Sequence, residues 1–146
     1  MAMTARVKWV ESLRFLGSSG SGHGVLMDAS DTAEGEVRLG ASPMETVLIG
    51  LGGCTTYDIV HILGKMRLAF EDVSVELSAE RAPQTPRVFT TIHALFTVVG
   101  DVPLDKAEEA ARLSIEKYCS ASQMLGKTAK ITHQVLVIPC KIGDDG

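Results

Sequence analysis

Three thiols, Cys54, Cys119 and Cys140, are the side chains of this chain best suited to chemistry of their own. Cys54 comes after Gly52-Gly53 inside a long apolar stretch, and Cys119 sits in Tyr118-Cys119-Ser120-Ala121-Ser122, where one helical pattern stops and another starts. Backbone N–H groups at a helix start stabilise a thiolate and lower a cysteine's pKa. Two cysteines 65 positions apart, each on a helical element, suit a pair in which one thiol is oxidised and the other resolves it. The alternative is two core residues, since free cysteine is among the most buried residue types. Position alone leaves both readings open. Cys140, beside Pro139 near the tail, reads as incidental.

Other polar residues carry weaker signals. Asp58 and His61 are three apart on one helix face and read as an ordinary pair. His23 lies in the loop Gly17-Ser-Ser-Gly-Ser-Gly-His-Gly24, either lining a site mouth or serving no role. That loop matches neither a P-loop nor a dinucleotide fingerprint. His61, His93, His133 and the cysteines show none of the close ligand spacings of a zinc site, so no metal is expected.

These residues must be positioned by elements, and the clearest begins at Ser42-Pro43-Met44-Glu45. Ser42 at N-cap, Pro43 at the first helical position and Glu45 at the third form a capping box with its favoured proline. The helix beyond this start, from Thr46 to about Arg67, is apolar nearly all round its first half, as expected inside a fold or an interface. Gly50, Gly52 and Gly53 cost about 1 kcal/mol each relative to Ala, which implies close packing against that stretch. Before the helix, Arg6–Val10, Leu13–Leu16 and Gly24–Met27 read as short strands, and Asp31–Gly40 as a mobile polar stretch. After it, alternation predicts strands at Val73–Ala79 and Val88–Val98, joined by a hairpin link Arg81–Pro86. A helix at Leu104–Tyr118 precedes a shorter one at Ser120–Lys127, capped by Ser120 or Ser122. A strand at Ile131–Val137 comes next, and Lys141–Gly146 reads as a frayed tail. The resulting order is β-β-β-α-β-β-α-β, an α+β plan with a mostly antiparallel sheet covering a long central helix.

Composition supports one domain over residues 1–146. With 45% hydrophobic and 22% charged residues the chain is far from disordered, and it can bury a core without disulfides or metal. Fourteen Lys+Arg against 18 Asp+Glu, a formal charge of −4, gives no attraction to phosphates, so nucleic acid is not expected. Three cysteines are too few, and odd in number, for a secreted disulfide scaffold. The first residues carry charge where a signal peptide needs an apolar core. Glu45, Asp58, His61 and Lys65 load the longest apolar stretch against crossing a membrane. A cytoplasmic protein with reduced thiols is expected.

The segment Ser42-Pro-Met-Glu-Thr-Val-Leu-Ile-Gly-Leu-Gly-Gly-Cys-Thr-Thr-Tyr-Asp-Ile-Val60 resembles the OsmC/Ohr family of hydroperoxide-reducing proteins. Glu116-Lys-Tyr-Cys-Ser120 is similar to that family's second cysteine motif, and the element order fits the family's fold from end to end. The Pro-Met-Glu form and the Phe15-Leu-Gly-Ser … Gly22-His start look most like its YhfA-like branch. The resemblance implies an intertwined homodimer and a peroxidase without metal, haem or other cofactor. In it, Cys54 attacks an organic hydroperoxide, Cys119 resolves the sulfenic acid as a disulfide, and an external dithiol restores both. Glu45 departs from the family pattern, standing one position after the place of the acidic residue. Nine residues before Cys54, it lies about 180° round the helix and roughly 13 Å along it, and reads first as a helix cap. The arginine that would activate the thiolate is Arg38, or else Arg14. Without such a cation a buried thiol is sluggish, and the chain would then be a redox-responsive or small-ligand-binding protein of this fold without turnover.

Overall fold

A computed structural model describes residues 2–32 and 36–140. The middle of the polar stretch at 31–40 and the tail from Lys141 lie outside the described residues. The elements run β1 (Ala5–Glu11), β2 (Arg14–Ser19), β3 (Gly24–Asp28), α1 (Pro43–Lys65), β4 (Ala69–Arg81), β5 (Phe89–Asp101), α2 (Leu104–Leu113), a π-helical turn (Ser114–Tyr118), α3 (Ser120–Leu125) and β6 (Lys130–Ile138). The chain forms two compact units, Met1–Ile49 and Gly50–Gly146. The α+β plan with mostly antiparallel strands holds. The strands divide into two three-stranded sheets, β1-β2-β3 and β4-β5-β6.

In the first unit β2 pairs antiparallel with both neighbours. The Gly/Ser stretch from Gly17, expected as loop, continues β2 to Ser19 and reaches β3 through a short turn closed by Ser19 N–H on the His23 carbonyl at 2.8 Å. Asp28, at the end of β3, is fully buried and organises the backbone on its C-terminal side. Its carboxylate accepts from Leu39 N–H at 2.9 Å, from Ser30 N–H at 2.9 Å and from Arg14 Nε at 3.0 Å. The Leu39 N–H first, then the Ser30 hydroxyl and N–H, hold this carboxyl well below the usual carboxylate range, with Arg14 adding to them. One side chain thereby ties the sheet to the backbone at Ser30 and Leu39 ahead of α1.

The start of α1 is the capping box read from the sequence. Glu45 N–H donates to Ser42 Oγ at 3.1 Å and Ser42 N–H donates to Glu45 Oε1 at 2.9 Å. Further along, Leu51, Gly52, Thr55, Ile59 and Leu63 form a buried stripe at helical spacing. The helix has the length and hydropathy of a membrane span, and this buried stripe covers about a third of it. The glycines behave differently from one another. A Cβ on Gly52 would meet Leu77 Cδ1 at 2.9 Å and Val75 Cγ1 at 3.3 Å, so a larger residue there would have to displace the ends of β4 side chains. Around Gly50 and Gly53 there is open space, and the close packing expected at all three is confined to one.

In the second unit β5 is the central strand, and its inward residues Ile92, Ala94, Phe96 and Val98 are buried. Ile59 and Leu63 of α1 and Ala107, Ala110 and Ala111 of α2 share a core with Ala94, Phe96 and Val98. Small alanines on α2 let it approach this core closely. β4 and β5 are antiparallel, whereas β5 and β6 are parallel, because helices rather than a hairpin connect them.

Because Asp28's carboxyl is depressed from an ordinary 3.8, its stabilisation is complete above that pH and is lost as pH falls through the folded-state value. Asp28→Asn should therefore lower the Tm at neutral pH, and the gap to wild type should narrow below about pH 4. Thermal unfolding of both proteins from neutral to acid pH checks this; a pH-independent gap would show that ionisation of Asp28 is irrelevant.

Candidate active site

Cys54 sits one turn after Gly50, on the same face of α1 as Asp58, since residues four apart are neighbours on a helix. Cys119 follows the π-helical turn. A π turn carries one residue more than an α turn before its hydrogen bond closes, here Cys119 N–H to the Ser114 carbonyl at 2.8 Å. Cys119 then leaves helical geometry, with φ −75° and ψ 111°, and itself caps α3. Its Sγ accepts from Ser122 N–H at 3.3 Å. The expected cap was Ser120 or Ser122; the cysteine takes the role because the π turn ends at Tyr118 and leaves Cys119 as the first extended residue before α3. The Ser122 hydroxyl instead donates to the Ile115 carbonyl at 2.8 Å.

The fold thus brings the two thiols together. Cys54 Sγ, Cys119 Sγ and a carboxylate oxygen of Asp58 all lie within 4.8 Å of one another. Both cysteines are free thiols, Cys54 partly accessible and Cys119 fully buried. Asp58 is held by Ser114, whose Oγ donates to Asp58 Oδ2 at 2.8 Å and lies 3.4 Å from the Thr55 carbonyl. The expected Asp58–His61 pair gives way to this tether, and His61 instead stacks on Tyr57 with ring centroids 6.0 Å apart.

The helix-start argument for a lowered Cys119 pKa is corrected by the site. Burial pushes the Cys119 thiol up, Cys54 pushes it further, and the Ser122 N–H opposes them without prevailing. Desolvation of a thiolate outweighs a single N–H donor. Cys119 therefore favours the protonated thiol.

The other candidate site residues, Glu45, Arg38, Arg14 and His23, lie in the first unit. Glu45 is occupied by the capping box, and Ser42 N–H and hydroxyl hold its carboxyl below the usual range, with a smaller pull from the Arg38 charge. Arg38 Nε donates to the Ser30 carbonyl at 2.9 Å, and Arg14 is bound by Asp28 and Glu11. His23 is exposed in the β2–β3 turn. Asp58 and Ser114 are what sequence reasoning missed at the thiols. The Cys-x3-Asp spacing on one helix was the available signal for Asp58, and nothing local marked Ser114.

Beside the thiols an open groove of about 560 Å³ is lined by Tyr57, Ile62, Met66, Leu113 and Tyr118, with Asp58, His61 and Lys65 as its polar groups. Asp58 faces both the groove and the thiol pair.

One thiol on a long glycine-containing helix and a second at the start of a later helix, within this order of strands and helices, define an OsmC-type protein. Residues 33–134 match the model of the OsmC-like protein family, and the chain belongs to that family. Protein YhfA of Escherichia coli strain K12 is 47% identical over 137 residues, covering 93% of this chain and 98% of YhfA. The fold is shared with an organic hydroperoxide resistance protein OsmC from Legionella pneumophila, at TM-score 0.70 and 16% identity over 92% of this chain and 96% of that one. It is also shared with the organic hydroperoxide resistance protein OhrB of Bacillus subtilis, at TM-score 0.63 and 15% identity over 93% and 98% of the two chains.

The difference in exposure predicts an order of modification. In the folded protein at neutral pH, iodoacetamide should alkylate Cys54 well before Cys119, with the two equalising only in denaturant. Peptide mapping after timed quenching reads the order, and equal labelling of the native protein would contradict the burial of Cys119.

Proposed function

We propose that the protein is a cysteine-based peroxidase that reduces organic hydroperoxides to alcohols. The observation carrying this reading is the pairing of the Cys54 and Cys119 sulfurs, one partly accessible and one buried, with Asp58 between them and a largely apolar groove. The Cys54 thiolate attacks the O–O bond, the hydroperoxide leaves as an alcohol after taking a proton, and Cys54 becomes a sulfenic acid. The Cys119 thiol then attacks that sulfur, a disulfide forms and water departs. An external dithiol reduces the disulfide by exchange and returns both thiols. The groove beside Asp58 receives the organic part of the peroxide, which favours bulky apolar substrates over hydrogen peroxide. Glu45 serves the helix start.

This reading includes a homodimer in a reducing, cytoplasmic setting. Support for the dimer comes from α1, where Tyr57 is 68% exposed and Val60 44% exposed beside the buried stripe. Apolar side chains grouped on one helix face are what a second copy would cover. Sedimentation should give twice the chain mass, and Val60→Asp should shift the protein toward monomer; a wild type that sediments as a monomer at micromolar concentration would remove the dimer from this reading.

A second reading, a redox-responsive protein without sustained turnover, draws on the Asp58 carboxylate facing the thiols, since a nearby negative charge disfavours thiolate formation. One assay separates the two. Wild type supplied with an alkyl hydroperoxide and excess dithiol should consume many equivalents of peroxide, and Cys54→Ser should fall to background. Loss of two thiols per chain after one equivalent, with no further consumption, would instead establish the redox-responsive reading.

A further inference from the structure

We infer that the reduced thiol pair is also a zinc site, with Cys54 Sγ, Cys119 Sγ and the Asp58 carboxylate as three protein ligands and water as the fourth. The local spacings that argued against zinc in the sequence concern only near neighbours, and this set joins residues 65 positions apart. The three ligand atoms lie within 4.8 Å of one another. Tetrahedral zinc with Zn–S near 2.3 Å and Zn–O near 2.1 Å places its ligands about 3.6–3.8 Å apart, so contraction of roughly 1 Å suffices. Side-chain rotations of Cys54 and Asp58, both on α1, supply movement on that scale.

Three further features fit a metal. Two thiolates and one carboxylate form a donor set that selects zinc-like cations over magnesium or calcium. A carboxylate facing two thiols accumulates negative charge when both ionise, and a dication neutralises it. Finally, two of the ligands are already oriented. Ser114 Oγ holds Asp58 Oδ2 at 2.8 Å and Ser122 N–H points at Cys119 Sγ at 3.3 Å, as outer partners orient ligands in metal sites.

On binding, each thiol gives its proton to the buffer as a sulfur–zinc bond forms, so two protons leave for each ion. A disulfide between the same cysteines removes both sulfur ligands, and metal and disulfide therefore exclude each other. Binding needs only these side chains and does not rest on peroxide reduction.

The test uses the full chain, reduced and freed of metal with a chelator, under anaerobic conditions. Titration with Co2+ should saturate at one ion per chain and produce a thiolate-to-cobalt charge-transfer band, which Zn2+ then bleaches by displacement. Ser114→Ala should weaken Zn2+ binding by about 10–100-fold, and Asp58→Asn by at least as much. Cys54→Ser should abolish the band, Cys140→Ser should leave it unchanged, and circular dichroism verifies that each variant is folded. Wild type alkylated at Cys54 should fail to bind, a control that needs no substitution. No saturable binding at micromolar Zn2+, an undiminished band in Cys54→Ser, or unchanged affinity in Asp58→Asn would overturn the site. Absence of zinc binding alongside sustained peroxide turnover would overturn this inference alone.

Discussion

The part-buried hydrogen bond from Ser114 to Asp58 is the contact on which the geometry of the thiols depends. Ser114 is wholly inaccessible, and its hydroxyl donates to the half-buried Asp58 carboxylate at 2.8 Å. Asp58 is one helical turn beyond Cys54, and Ser114 is the first residue of the turn that ends at Cys119. A single polar contact therefore joins the two elements that carry the sulfurs. The apolar packing of Ile59 and Leu63 against Ala107, Ala110 and Ala111 supplies cohesion without direction. The directional bond sets which turn of α1 meets which turn of the other helix.

The π-helical turn does the rest. Had α2 continued as an α-helix, Cys119 would be a helical residue with its side chain on a helix surface. The wider turn releases the backbone at Cys119 into an extended conformation, and α3 starts at the next residue. The sulfur then becomes the cap of α3, and its burial is a consequence of capping from inside the fold. Two opposing effects meet at that atom. The Ser122 N–H favours a thiolate, burial and Cys54 favour the thiol, and the thiol prevails. In a pair where one sulfur attacks and the other waits, a proton retained on the buried partner is the useful arrangement.

Much of the framework was legible because its causes are local. Ser42, Pro43 and Glu45 lie within one turn, and their capping box forms as the residue types require. The alternation in Val73–Ala79 and Ile92–Val98 marks strands because one face of each must be buried. Local reasoning failed where a distant partner competed with a near one. Asp58 was assigned to His61 by spacing but is bound by Ser114, and Ser120 or Ser122 was assigned a cap that Cys119 fills. The three glycines were indistinguishable by propensity, yet only Gly52 meets β4 side chains.

Residue order alone settled most of the succession of strands and helices and the start of α1, since propensity, capping and periodicity act over a few residues. The approach of Cys54 to Cys119, the presence of Asp58 beside them and the protonation of Cys119 were decided by the folded chain. Each depends on burial or on a hydrogen bond between residues more than 50 positions apart, and no pattern along the chain encodes which of many possible partners will be brought into contact.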